Sequence, residues 1–232
     1  MIPLRDLNPT RTRPVVTHAL IAANVLIFIF QAALSEKGAE SLLQEYALKP
    51  SFFVGYLQGK RTAQYPITIV EDARGIPFPI DNPHEVPLTF WNSVFPLLTS
   101  MFLHGGLLHI LGNMWFLHIF GDNVEDRLGH GLYVLFYLAT GVTGSLTQVL
   151  ASPGSSLPMI GASGAISGVL GAYAITYPTA RVLSLVPVFL FFPIVELPAI
   201  FFLFIWFGFQ LLTGLFGGSS HGGGVAVWAH IA

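Results

Sequence analysis

The chain has 232 residues, 53% of them hydrophobic and only 9% charged, with a mean hydropathy of +0.67. Such a composition excludes an ordinary soluble domain and points to a membrane protein with several spans. A net charge of −2 gives no basis for nucleic-acid binding, and the absence of cysteine excludes disulfides and thiolate metal sites.

Residues 1–16 are polar, carry Pro3, Pro9 and Pro14, and read as a flexible tail. Arg5, Arg11 and Arg13 precede an apolar run, but no small-residue cleavage site with a soluble domain follows, so this is not a signal peptide. The first span runs from about His18 to Leu34, close to the roughly 20 residues a bilayer core demands. Residues 35–92 form a long outer loop that holds most of the charge together with Pro66, Pro77, Pro79, Pro83 and Pro87. Within it, Leu42, Leu43, Tyr46 and Ala47, then Phe52, Phe53, Tyr56 and Leu57, predict short amphipathic helices on the membrane surface. A loop of this length has a function beyond connection.

The second span, residues 101–121, contains His104, His109, Asn113 and His118 and ends in GDNVEDRLG, whose charges belong at an interface. A third covers Tyr133–Ala151. The fourth lies within Met159–Tyr177, MIGASGAISGVLGAYAITY, and ends at Pro178 and Arg181. Pro187 and Pro193 break the next apolar run, which puts the fifth span at Glu196–Phe216. After the glycine-rich Gly217–Gly224, a sixth begins near Val225. From there to Ala232 the helix has about 12 Å of length, against a core of roughly 30 Å. The sixth helix is therefore expected to be truncated in this chain, and the native polypeptide to continue. Arg5, Arg11, Arg13, Arg127 and Arg181 fall on one side of a six-span chain, which makes the N-terminus cytoplasmic. Residues 17–232 then form one all-α, multi-pass membrane domain.

Within the fourth span Ser163 stands between Gly161 and Gly164, and Gly164, Gly168 and Ala172 form a stripe that lets another helix approach closely. Serines in membrane helices also bond back to the preceding turn, with no chemistry involved. Depth separates the two readings. His109, Ser163 and His230 each fall about 6–10 Å below the same membrane surface, with Asn113 about one turn deeper. Polar groups buried in a bilayer are costly and mark function. Ser163 needs a base, and an imidazole suits that role near neutral pH. His109 and Asn113 share a helix face at i, i+4, and both can donate hydrogen bonds to an oxyanion. His230, in AVWAHIA beside Ala226 and Ala229, is assigned the base. No carboxylate lies inside a span except Glu196 at an edge, so a Ser–His dyad replaces the three-residue arrangement.

GASGAISG, HGGLLHILGN and the late Ala229-His230 pair resemble the rhomboid family of intramembrane serine proteases, over residues 95–232. The resemblance implies a compact six-helix bundle with a water-filled cavity open to the outer side. By it, Ser163 is the nucleophile and His230 its base. His109 and Asn113 join the Ser163 backbone N–H in the oxyanion hole, and His104 matches the family's histidine at the mouth of the second span. Gly161 and Gly164 support the serine. Glu125 and Arg127 resemble a structural pattern at the inner end of that span. The resemblance also implies substrates that are transmembrane helices, entering past the fifth helix, whose outer half bears Phe207, Phe209, Leu211, Leu212 and Leu215. Two departures stand out. The family's Trp-Arg pair in the first loop reads Phe95-Pro96 here, and the chain ends before the glycines that follow the family's Ala-His pair.

A metal site fits poorly. His104 and His109 are five apart, off a common helix face, with no intervening carboxylate. No metal and no other cofactor is expected. His118 and His130 are expected at the inner interface. A channel or transporter is disfavoured by the large loop and the lack of internal repeats. A non-catalytic rhomboid-like protein that binds membrane helices is the alternative reading, but such a protein would be expected to lack Ser163 or His230. The expected partners are the lipid bilayer and transmembrane substrates, and the expected location is a bacterial plasma membrane.

Overall fold

The structure, a computed structural model, describes residues 1–65, 69–71, 77–79, 84–186, 189 and 191–216. Strand β1 (Ile2–Asp6) precedes helix α1 (Val15–Ala33). Helices α2 (Glu36–Tyr46) and α3 (Pro50–Leu57) follow, then strands β2 (Thr62–Tyr65), β3 (Ile69–Glu71), β4 (Pro77–Pro79) and β5 (His84–Pro87). Short helices α4 (Phe90–Ser93) and α5 (Pro96–Thr99) and a 3₁₀ turn (Ser100–Phe102) lead to α6 (Leu107–Leu128) and α7 (His130–Ala151). Helix α8 (Ser163–Thr176), strands β6 (Arg181–Leu185) and β7 (Ile194–Pro198) and helix α9 (Ala199–Phe216) complete the order.

Among the described residues α1 and α7 are long and apolar enough to cross a membrane, and α6 joins them if it counts as one span with Phe90–Phe102, to which it is bent by 72°. Ser163–Thr176 and Ala199–Gly208 are shorter apolar helical stretches among the described residues. The expected sixth span, with His230, lies outside the described residues. At the junction of α6 and α7, Gly129 has φ +76°, a conformation glycine adopts without strain, and the chain reverses there. Helix α8 is apolar all round and takes the central position this demands, packed mainly on α7 and α6. Its Ala165, Ile166, Val169, Leu170 and Tyr173 are buried among Met114, Phe120, Tyr137 and Phe202.

Three corrections concern β structure. The protein is mostly helical but not all-α. The polar N-terminal segment is not a loose tail throughout, because Ile2–Asp6 forms a strand against β6, in register from Ile2↔Leu185 to Asp6↔Val182. The stretch before α9 is an antiparallel hairpin, β6 with β7, and α9 begins at Ala199 rather than Glu196. Prolines 187, 193 and 198 bar a helix there, while Val182, Leu183, Leu185, Ile194 and Val195 suit strands. The resulting sheet has the order β1–β6–β7.

Helix α1 has no side-chain cap of its own at Pro14. The buried Glu125 carboxylate of α6 caps it instead, accepting from the Val16 N–H (2.9 Å), the Thr17 N–H (2.7 Å) and the Thr17 hydroxyl (2.7 Å). His130 Nδ1 lies 2.6 Å from the same carboxylate. Glu125 thus ties three helices together at the end of the bundle far from Ser163.

The segment after α1 folds into a cap with a small core of Phe52, Tyr65 and Val86. Lys49, at the start of α3, is wholly buried. Its Nζ donates to the Leu43 carbonyl (3.2 Å) and the Gln44 carbonyl (2.6 Å) at the end of α2, and lies 4.8 Å from the Phe52 ring centre. Burial lowers its pKa to about 7, against a smaller opposing pull from Glu45. In the unfolded chain the same group titrates near 10.5. Between those values the unfolded state holds the extra proton, so the cap gains stability as pH rises from about 7 and loses it as pH falls back through 7. Hydrogen-exchange protection of α2 and α3 amides, corrected for intrinsic rate, should rise from pH 7 to 9. In Lys49→Met that rise should vanish.

Close helix approach sets a second expectation. A Cβ at Gly168 would collide with the Thr140 side chain of α7, whose hydroxyl donates to the Ala165 carbonyl (3.3 Å). At Gly141 a Cβ would meet mainly the flexible end of Met101, and at Gly131 it would meet nothing among the described residues. Gly168→Ala should therefore cost about 1–3 kcal/mol as overpacking, more than Gly141→Ala, with Gly131→Ala neutral or stabilising. Thermal unfolding in detergent reads the order.

Candidate active site

The site forms where the starts of α6 and α8 meet under the cap. Before α6 the chain is held by Gln31 of α1. The His104 N–H donates to Gln31 Oε1 (3.1 Å), and Gln31 Nε2 donates to the His104 carbonyl (3.4 Å). His104 is buried, and its ring centre lies 5.2 Å from that of His109, nearly edge to face. His109 is in the first turn of α6. The Gly105 N–H donates to His109 Nδ1 (3.4 Å), so in the neutral ring Nδ1 is the acceptor and Nε2 carries the proton.

That Nε2 faces Gly161. A Cβ there would stand 2.8 Å from His109 Nε2 and 3.6 Å from Ser163 Oγ, so imidazole and hydroxyl border the same gap. Gly161 has φ +126°, open to glycine and strained for any other residue, and its N–H donates to the Ser100 carbonyl (2.9 Å). Ser163 is the first residue of α8. Its N–H is therefore one of the helix's unpaired donors, and it has no preceding turn to bond back to. Ser167 does bond back, to the Ser163 carbonyl (2.8 Å). A cavity of about 10 Å³, room for about one water, lies beside Ser163 and Gly164 against Met101, Gly141 and Ser145.

Asn113 sits one turn beyond His109 on α6, and its Nδ2 is buried with no hydrogen-bond partner among the described residues. His118 and His130 are remote from this gap. His118 stacks on His18 at 6.3 Å, and His130 belongs to the Glu125 cap. Among the described residues no three His, Cys, Asp or Glu side chains converge as a metal would require. Along α8, a groove of about 610 Å³ runs between α7 and α9, lined by Phe136, Thr140, Ser167, Gly168, Gly171 and Trp206 among others.

Sequence reasoning missed two supports. Gln31 left a usable trace as an amide near the end of an otherwise apolar span. The other is the cap's grip on the loop before Ser163. Leu48 and Met159 pair through two backbone hydrogen bonds (3.1 and 2.7 Å), and the Ser51 N–H donates to the Ser155 carbonyl (2.9 Å). Those bonds use backbone atoms and leave no mark in residue type. Facing α6 across the bundle, α9 presents Phe202 and Trp206, with ring centres 6.4 and 5.9 Å from that of Phe116. Of the α9 residues named from sequence, the side chains of Phe209, Leu211 and Leu215 fall outside the description.

Gly161→Ala should push His109 from the gap while leaving the fold intact. Labelling of Ser163 by a fluorophosphonate should slow about 10²-fold, the penalty of an ångström-scale misplacement. Gly131→Ala, at the far end of the bundle, where a Cβ meets nothing among the described residues, should label at the unaltered rate.

A family model described as "Rhomboid domain" matches residues 91–232, more than half of the chain. The chain is 46% identical over 76 residues to "Rhomboid protease GluP" of Bacillus subtilis, a stretch covering 33% of this chain and 14% of that protein. It is 38% identical over 81 residues to "RHOMBOID-like protein 6, mitochondrial" of Arabidopsis thaliana, covering 35% and 26%. To the mouse "Presenilin-associated rhomboid-like protein, mitochondrial" it is 35% identical over 99 residues, covering 41% and 26%. The matched stretches thus span about a quarter or less of these relatives' lengths. The family match takes in α6 and α8 and the gap between them, and with two or three candidate spans besides, this chain is an integral membrane protein that belongs to the rhomboid family.

Proposed function

We propose that this protein is an intramembrane serine protease that cleaves transmembrane helices with a Ser163–His230 dyad. In this reading Ser163 Oγ attacks the scissile carbonyl carbon while His230 takes the hydroxyl proton. The carbonyl oxygen becomes an oxyanion held by His109 Nε2–H, Asn113 Nδ2 and the Ser163 N–H. His230 then delivers its proton to the leaving amine as the C–N bond breaks. Water, deprotonated by His230, hydrolyses the ester and returns Ser163.

The observation that carries the reading is the gap over Gly161. The His109 ring borders it with Nδ1 occupied as acceptor, so Nε2 is available as donor beside Ser163 Oγ. A donor there suits an oxyanion and does not suit a base, which leaves the base to another histidine. Ser163 at the start of α8 adds an unpaired N–H and the positive end of the helix dipole. The groove along Ser167, Gly168 and Gly171 supports docking of the segment that carries His230 on α8. Arg11 and Arg13, which flank Thr12 on Asp126, with Arg127 in the last turn of α6 and Arg181 at the base of the hairpin, lie toward the end opposite Ser163, which supports a cytoplasmic N-terminus.

The test uses protein reconstituted in liposomes with a single-span substrate. Ser163→Ala and His230→Ala should abolish cleavage, and Asn113→Ala should leave turnover about 10²–10³-fold reduced. EDTA should change nothing. Turnover retained in Ser163→Ala would overturn the proposal in favour of a non-catalytic helix-binding role or another nucleophile.

A further inference from the structure

The sheet β1–β6–β7 climbs the side of α6. At the Leu128 end, Asn123 Nδ2 donates to Asp6 Oδ2 (2.7 Å) and Asn8 Nδ2 donates to Asn123 Oδ1 (2.6 Å). Two turns nearer the site, about 12 Å along the helix axis, the Trp115 indole N–H donates to the Pro3 carbonyl (2.6 Å). From Asp6 back to Pro3 a strand covers about 10 Å, so β1 runs along α6 rather than away from it. Trp115 stands about 20 Å from Leu128 along the axis, well within a hydrocarbon core of roughly 30 Å. Ile2 lies beyond that level, and its register partner Leu185, itself opposite Ile194, shares its depth. The connection bearing Phe189, Phe191 and Phe192 leads on from there. Those three side chains are 97%, 76% and 61% exposed.

The composition of β6 and β7 agrees with that depth, whereas β1 carries the exposed Arg5 opposite Leu183. From Val182 to Val195 the sequence has no charged residue, and the flanking Arg181 and Glu196 pair at 2.9 Å across the base of the hairpin. On the edge facing α6, Pro3 has no N–H to satisfy and its carbonyl accepts from the Trp115 indole. β1 rests on α6 and β7 runs directly into α9, so the sheet bridges the two helices. On α9, into which β7 runs, Phe201 and Phe204 are also exposed.

We propose that β6 and β7 form a re-entrant membrane hairpin whose Phe189, Phe191 and Phe192 lie among lipid acyl chains, with the sheet bridging α6 and α9 on their lipid-facing side. Its partner is bilayer hydrocarbon.

The chain has no cysteine, so a spin label on one introduced cysteine reports a single position. Labels would be placed by Phe189→Cys, Phe191→Cys and Phe192→Cys in liposome-reconstituted full chain. Leu26→Cys, exposed on α1, serves as the lipid reference and Lys60→Cys, exposed in the cap, as the aqueous one. The ratio of oxygen to nickel-chelate collision rates at the three hairpin positions should match Leu26→Cys and exceed Lys60→Cys severalfold. Phe189 packs on almost nothing, so its replacement keeps the test valid if the other two variants fail to fold. A ratio matching Lys60→Cys would place the hairpin in water and overturn the proposal. Dipolar broadening between labelled copies would overturn it too, by showing that a second chain covers this face.

Discussion

The backbone hydrogen bond from Gly161 to the Ser100 carbonyl joins the two halves of the site. On one side, the 3₁₀ turn Ser100–Phe102 leads into His104, His109 and Asn113 on α6. On the other, Gly161 leads within two residues to Ser163 at the head of α8. Neither helix start is fixed by its own sequence. No side-chain cap bonds α6 at Gly106 or α8 at Ala162, so tertiary contacts decide where each begins. Gln31 fixes the first and the Leu48–Met159 pair the second, while the positive φ of Gly161 lets His109 slide in between. The distance between imidazole and hydroxyl is therefore a property of the whole bundle.

Glycine serves that bundle in two ways. Gly168 brings α7 and α8 into contact, with the Thr140 hydroxyl reaching the Ala165 carbonyl across the junction. Gly161 keeps space open rather than closing it. The first use is a packing device common to membrane helices and does not by itself mark chemistry. The second is local to the site. A reading of the small-residue stripe as one feature merges them, and the structure separates them.

Hydrophobic runs and intramembrane polar residues made most of the helical frame legible in the sequence, because lipid penalises every departure from a helix with paired backbone. That penalty sharpened α1, α7 and α8 and singled out His109, Asn113 and Ser163. It misled elsewhere. Val182–Val195 is as apolar as a span, yet it pairs as strands, and β1 looked like a tail because its partner lies far away in sequence. Pairing between distant strands leaves only alternation and prolines behind as local signals. Glu125 illustrates the opposite limit. A carboxylate near a span end reads as an interface charge, whereas here it is buried as the cap of another helix, a role written in no motif of α1.

The pairing of β1 with β6 also sets an order of assembly. Ile2–Asp6 leaves the ribosome early, but its partner strand follows only after about 180 further residues, which at 5–20 residues per second means roughly 10–35 s. During that interval α1, α6, α7 and α8 can all enter the membrane while β1 waits with open edges. Docking of β1 on Trp115 and β6 is thus a late closing step, the latch fastened after the helices are in place. Anything fused ahead of Ile2 has to be carried into that latch.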